Sequence, residues 1–199
     1  MKMSAKVNAL LLAVSLGVGA SASASAAPVT YTFDVVHSRV AFYVNHLGFS
    51  NSLGQFKVGD GAFEFDADDW SKSTVGVAIP VSSLELGDAK WNTHISSPDF
   101  LDAAQYPQIR FKSSRLEKTD ATHGKLYGEL TIHGVTRPAV LDLRVNRIGE
   151  HPMRRAQAAG FTATTTVRRS EFGVAAYVPA VADEVEVRIE IEAFVAPKG

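Results

Sequence analysis

The sequence predicts an all-β domain, an antiparallel sheet of about eight strands with one short helix inserted near its middle. Three observations carry this. Apolar and polar residues alternate with period two in nearly every segment after Pro28. The alternating runs are joined mostly by short turns, so successive strands pair as antiparallel neighbours. Only the stretch between Gly87 and Pro107 breaks the alternation long enough for a helix.

The first 26 residues stand apart from that pattern. Lys2 and Lys6 precede an apolar run from Ala9 to Val18 and a small-residue stretch from Ser21 to Ala27, the layout of a secretory signal peptide. The run is too short to span a bilayer, which takes roughly 20 apolar residues, so no transmembrane segment is expected in the mature chain. Ala24-Ser25-Ala26 fits the small-x-small rule and places the cut after Ala26, leaving residues 27–199 as one β-domain. The formal net charge is −1, and losing two lysines makes the mature chain mildly acidic, which argues against nucleic acid as a partner. With no cysteine there is no lipoprotein anchor, no disulfide framework and no thiolate chemistry.

In chain order, Val40, Phe42 and Val44 share one strand face, opposite Ala41, Tyr43 and Asn45. Phe56 and Val58 lead into Gly59-Asp60-Gly61, after which Phe63 and Phe65 resume the apolar face, which reads as a hairpin. Val75, Val77, Ile79 and Val81 alternate with Thr74, Gly76 and Ala78, a second face small enough for a neighbour to pack closely. Ser97-Pro98-Asp99 has the form of an N-cap, a proline at the first helical position and an acid in the first turn, predicting a short helix with Phe100, Leu101 and Ala104 inward. Ile109, Phe111 and Ser113 form the next face, followed by Leu126, Gly128, Leu130 and Ile132. His133 to Pro138 is a tight reversal into Leu141, Leu143 and Val145. Gly149 to Gly160 reads as a loop, and Phe161, Ala163, Thr165 and Val167 as the strand after it. Val185, Val187, Ile189 and Ile191 against Glu184, Glu186, Arg188, Glu190 and Glu192 give the last strand, with its polar face in water. A meander of strands this long favours a closed barrel over a sandwich, because closure leaves no exposed edge.

The chemistry-bearing residues do not assemble at the sequence level. Asp34, His37 and Ser38 are the residue types of a hydrolytic triad, the basis for an alternative reading as a secreted envelope hydrolase. At strand spacing Asp34 and His37 point to opposite faces, so they converge only if a bulge intervenes. His37, His46 and His94 lack any spacing that ties two of them to one metal, and no metal or cofactor is expected. Asp66, Asp68 and Asp69 read as a solvated loop, and His123, His133 and His151 fall in or beside turns. What remains is an apolar surplus, including 11 phenylalanines, Phe49 and Phe172 among them. Such residues fill a packed core, as in a plain structural or interaction module, or line a ligand pocket, and composition does not separate the two.

The order Asp34, His37-Ser38, Phe42, His46-Leu47-Gly48, Gly54-Gln55-Phe56, His94 to Phe100 and Tyr106-Pro107 is similar to that of the YceI-like proteins. The similarity continues through Gly128 to Thr136, Arg169 to Gly173 and Asp183-Glu184-Val185, and so covers most of residues 29–195. It implies an extended, lipocalin-like antiparallel barrel in the periplasm that binds a long-chain polyisoprenoid lipid, an isoprenoid quinone or polyprenyl type, and catalyses no reaction. It departs from the family at Phe100-Leu101-Asp102, where many relatives have two consecutive phenylalanines, and at Lys90-Trp91-Asn92, where an Arg-Asp pair is common. On this resemblance the tunnel walls are Phe42, Val44, Phe56, Val58, Phe63, Phe65, Val77, Ile79, Ile109, Phe111, Leu130, Ile132, Phe161 and Val167. Trp91 and Phe100 stand near one end, with His94, His46 and Asn45 as polar contacts at the mouth. A homodimer through the outer strand faces is a further expectation.

Overall fold

The computed structural model describes residues 27–59 and 61–197, so the expected signal peptide lies outside the described residues. Strands β1 (Val29–Phe33) and β2 (Arg39–His46) are two halves of one bent stave. Both pair with β10 (Val181–Val195), β1 through Tyr31↔Val195 and β2 through Val185↔Val44. Next come β3 (Ser50–Lys57) and β4 (Ala62–Phe65), which pair with β2 and β1 respectively. Strands β5 (Thr74–Pro80), β6 (Gln108–Lys118), β7 (His123–Ile132), β8 (Val135–Glu150) and β9 (Gln157–Arg168) follow as an antiparallel meander back to β10. The β1–β10 pairing closes the ring. Ten strands thus make an eight-stave up-and-down barrel, the expected class.

The alternation sorts as expected. Phe63, Phe65, Phe111, Leu126, Leu141, Leu143, Phe161 and Ala163 point inward and are buried, while Glu184, Glu186 and Arg188 of the last strand are exposed. Gly128 belongs to this inner face because a Cβ there would stand 2.5 Å from the Phe111 ring and 2.4 Å from the Lys112 carbonyl. His133 and Gly134, at φ 50° and 73°, make the tight β7–β8 reversal.

Several expectations are corrected. β3 and β4 do not form a hairpin: they run in the same direction as two parts of one stave, and Asp60 of the expected Gly59-Asp60-Gly61 turn lies outside the described residues. There Gly59 approaches the Ala78 backbone, where a Cβ would lie 2.7 Å from the carbonyl oxygen, whereas nothing crowds Gly76. The helix, α1 (Ala89–Ile95), starts earlier than Ser97-Pro98-Asp99 suggests. Its cap is Asp88, whose Oδ1 accepts the Trp91 N–H at 2.9 Å. Beyond Ile95 the chain doubles back on the helix, with Leu101 N–H donating to Ile95 and Ala103 N–H to Ser96, so the second set of capping signals sits in consecutive turns. Phe100 is buried there, but Ala104 is exposed. The predicted loop over 149–160 is short, because β8 runs to Glu150 and β9 starts at Gln157. Asp66 is 3% exposed, not solvated, with Oδ1 accepting the N–H groups of Asp68 and Asp69.

Candidate functional site: an apolar cavity within the barrel

The interior encloses a cavity of about 430 Å³, within the range of small-molecule sites. Away from its mouth it is lined almost wholly by aliphatic and aromatic side chains. One end is packed shut. Phe161 meets Phe63 edge-on at 5.5 Å and Phe65 at 5.2 Å, and Phe65 meets Trp70 at 5.5 Å, with Leu116 and Leu126 buried beside them. Burial loosens toward the other end, where Val44, Val167, Val185 and Val187 are only half-buried although they face inward.

At that end three segments frame a mouth: the β2–β3 turn, α1 with residues 96–107, and residues 173–180 before β10. His46, His94 and Tyr177 are its exposed lining residues. The His94 ring stands 4.9 Å from Phe100 and 6.4 Å from Tyr177. Two further exposed lining residues, Glu64 and Thr74, lie at the short β4–β5 pairing. Between β3 and β5 the wall parts, and residues 81–86 with α1 fill the gap with Val81, Leu84, Leu86 and Ile95, joined to β3 by a bridge between Gln55 and Glu85.

Arg169 holds the last mouth segment in place. Its Nε donates to Ala182 O at 2.9 Å, Nη1 to Val174 O and Ala176 O at 2.9 Å each, and Nη2 to Val181 O at 3.0 Å. Burial pulls the guanidinium below its ordinary pKa, and the Asp183 charge offsets part of that. With four of its five donors taken by backbone carbonyls, Arg169 lines the cavity as a brace and not as an open anion site.

All sixteen sequence-predicted pocket residues face this one cavity: Phe42, Val44, Phe56, Phe63, Phe65, Val77, Ile79, Trp91, His94, Phe100, Ile109, Phe111, Leu130, Ile132, Phe161 and Val167. Val58 and His46 join them. Asn45 does not, because it points outward and its side chain bonds Asn51 and the Gly48 N–H within the turn. The sequence reading left out Leu141, Leu143, Val185, Val187, Ile189 and Ile191, which the same alternation could have supplied. It also left out Arg169, Val174 and Tyr177, which lie in irregular backbone with no period to mark them.

The triad residues behave differently from the expectation. A turn over Val35–His37 ends the strand pattern and brings His37 Nδ1 within 3.1 Å of Asp34 Oδ2, so the two do converge. Ser38 does not complete the set. It is fully buried, and its hydroxyl donates to Glu192 O at 3.1 Å and accepts the Glu192 N–H at 3.2 Å. Arg154 adds a contact of 3.2 Å to the same Asp34 oxygen, and His151 lies 3.4 Å from Glu192, so this outer cluster ties the 151–156 loop across the β1–β2 bend. Asp34, His37 and Glu192 place ligand-type atoms within 4.8 Å of one another, with Arg154 already supplying positive charge there.

Burial pushes the Asp34 carboxyl up, but hydrogen bonds from the His37 side chain and from the Val36 and His37 N–H groups, with the His37 charge, hold it below the usual carboxylate range. A carboxyl depressed in the fold stabilises it above the unfolded value near about 3.9, and that contribution disappears as pH falls through the lower folded value. Asp34→Asn is therefore expected to cost about 1–3 kcal/mol at neutral pH and to flatten the loss of stability below about pH 4. Urea unfolding across pH measures both, and an unchanged acid limb would remove Asp34 from the account.

A closed antiparallel ring with an apolar hollow and a framed mouth defines the class of hollow β-barrels, the architecture that accommodates one small guest. Within that class the chain belongs to the YceI-like domain family, whose model matches residues 31–193. A UPF0312 protein of Pseudomonas savastanoi pv. phaseolicola is 39% identical over 138 residues, 69% of this chain and 71% of that one. A UPF0312 protein of Vibrio cholerae is 34% identical over 186 residues, 92% of this chain and 96% of that one. Among solved structures, BcnA of Burkholderia cenocepacia is similar with a TM-score of 0.73 at 25% identity, covering 80% of this chain and 98% of BcnA. A polyisoprenoid binding domain from Saccharophagus degradans, implicated in plant cell wall breakdown, has a TM-score of 0.64 at 12% identity, covering 84% and 99%. That last likeness speaks for the fold alone.

Proposed function

We propose that the protein binds one long-chain polyisoprenoid lipid, of isoprenoid quinone or polyprenyl type, inside the barrel, and carries or stores it in the periplasm without chemical change. The observation that carries this reading is the apolar cavity, packed shut at one end and framed at the other by His46, His94 and Tyr177. Each buried CH₂ equivalent contributes roughly 0.8 kcal/mol, so a long apolar chain gains much from such a hollow even after its ordering cost. The polar groups at the mouth suit a head group left outside. The same fold is found in a domain named as polyisoprenoid binding, so the architecture is compatible with such a guest. The double engagement of the Ser38 hydroxyl by backbone supports a binder over a hydrolase. The homodimer belongs to the same proposal, across the outer faces of β8, β9, β10 and β2 where Tyr43 and Val140 are exposed.

The test is recovery of the guest. Protein purified from the periplasm without detergent is expected to release a prenyl chain into organic solvent, detected by mass spectrometry. An empty protein, or one holding only straight-chain fatty acids, would overturn the reading.

A further inference from the structure

The rim outside the mouth is unusually apolar. Phe49 is 91% exposed, Tyr177 63%, Leu47 49% and Val178 36%. They stand together, because β2 leads into the turn that holds Leu47 and Phe49 while its last residue, His46, pairs with Val181, just after Tyr177 and Val178. Leu47 and Tyr177 both occupy left-handed backbone, at φ 58° and 62°, a conformation that costs a bulky residue about 1 kcal/mol or more. The backbone thus accepts strain to present large apolar groups to solvent.

Charge sets this rim apart from the rest of the surface. Residues 40–56, 91–98 and 172–182, which make up most of the three segments that frame the mouth, contain no Asp, Glu, Lys or Arg, in a chain of which 21% is charged, and Lys90, Asp99 and Asp102 flank the middle stretch. A surface that removes ion-desolvation costs while exposing aromatic and aliphatic groups matches the interfacial zone of a bilayer, where Tyr and other apolar side chains settle. It lacks the basic clusters that read anionic head groups. The cavity is continuous with this rim, since Tyr177 belongs to both.

We propose that the mouth rim docks on a lipid bilayer by inserting Leu47, Phe49 and Tyr177, so that the guest passes between membrane and cavity without crossing water. The proposal rests on the carrier reading and names the membrane as the second partner of that site. An apolar chain released into water would forfeit roughly 0.8 kcal/mol for every CH₂ equivalent, a cost that direct contact avoids.

The test floats the purified protein with vesicles of phosphatidylcholine alone, free of any prenyl lipid. Co-flotation is expected, unchanged within about twofold from low to high salt because no charges mediate it. A Leu47→Asn, Phe49→Ser double variant is expected to float roughly tenfold less well or worse. Both positions lie outside the cavity lining, and asparagine suits the left-handed backbone at 47, so the variant should fold and release the same prenyl chain as the parent. Absence of flotation, flotation equal in the variant, or flotation that collapses with salt would overturn the proposal. So would crosslinking through position 49 to an envelope protein, or to a second copy, by a protein that ignores vesicles. A protein that holds a prenyl chain but never floats keeps the carrier reading and loses the docking surface. One that floats yet never holds a prenyl chain keeps the surface and loses the cargo.

Discussion

Replacing Arg169 with alanine is expected to lower stability by about 2–4 kcal/mol and to release the segment between Gly173 and Val181. Its guanidinium ties four carbonyls, those of Val174, Ala176, Val181 and Ala182, from a segment with little regular pairing of its own. Deleting the donors leaves these oxygens to find water or go unpaired, and the segment that carries Tyr177 loses its brace. Arg169→Lys should recover only part of the loss, because an ammonium cannot reproduce the planar fork that reaches four acceptors. Denaturant midpoints give the stability change, and amide exchange over 173–181 reports the release. Exchange there that matches the parent would show that the segment is held by other contacts.

Phe161→Ala is expected to be costlier, about 3–5 kcal/mol, and to deepen the cavity at its packed end. Phe161 is 6% exposed and wedged edge-on against Phe63 and Phe65, so its removal leaves a void that the neighbouring strands cannot collapse to fill. Val167→Ala, six residues along the same strand and the same face, should cost about 1 kcal/mol or less, because that side chain borders open space and is half-buried. Urea unfolding of the two variants measures the contrast. Equal losses would show that the interior is packed uniformly, and would count against a guest at the Val167 end.

Strand existence was legible in the sequence because alternation is a local signal, and it marked the inner face that lines the cavity, whereas Trp91, His94 and Phe100, in and just after α1, were reached only through the family resemblance. What escaped it was set by distance or by competition. The union of β1 with β2 depends on what β10 offers as a partner, and that of β3 with β4 on pairing with the stave so formed, and no local window contains either. The helix start was missed because capping signals occur twice within a dozen residues, and the nearer one, Asp88, won. Asp34 and His37 meet because the strand pattern breaks at Val35, a break that alternation reads only as a lapse. Tyr177 and Arg169 act from irregular backbone, where position follows from hydrogen bonds and not from period.

The closing seam also has a consequence in time. Thr32 and Phe194, bonded across it, are 162 residues apart in the chain. Bringing ends that far apart together costs an unfolded chain about 4.5 kcal/mol of loop entropy before any pairing offsets it. The seven meander pairings between successive staves carry no such handicap, so they form first, and β1 and β10 wait as two unpaired edges. Folding should therefore be slow for a chain this size, with a populated open sheet whose free edges invite association with other copies until the seam shuts.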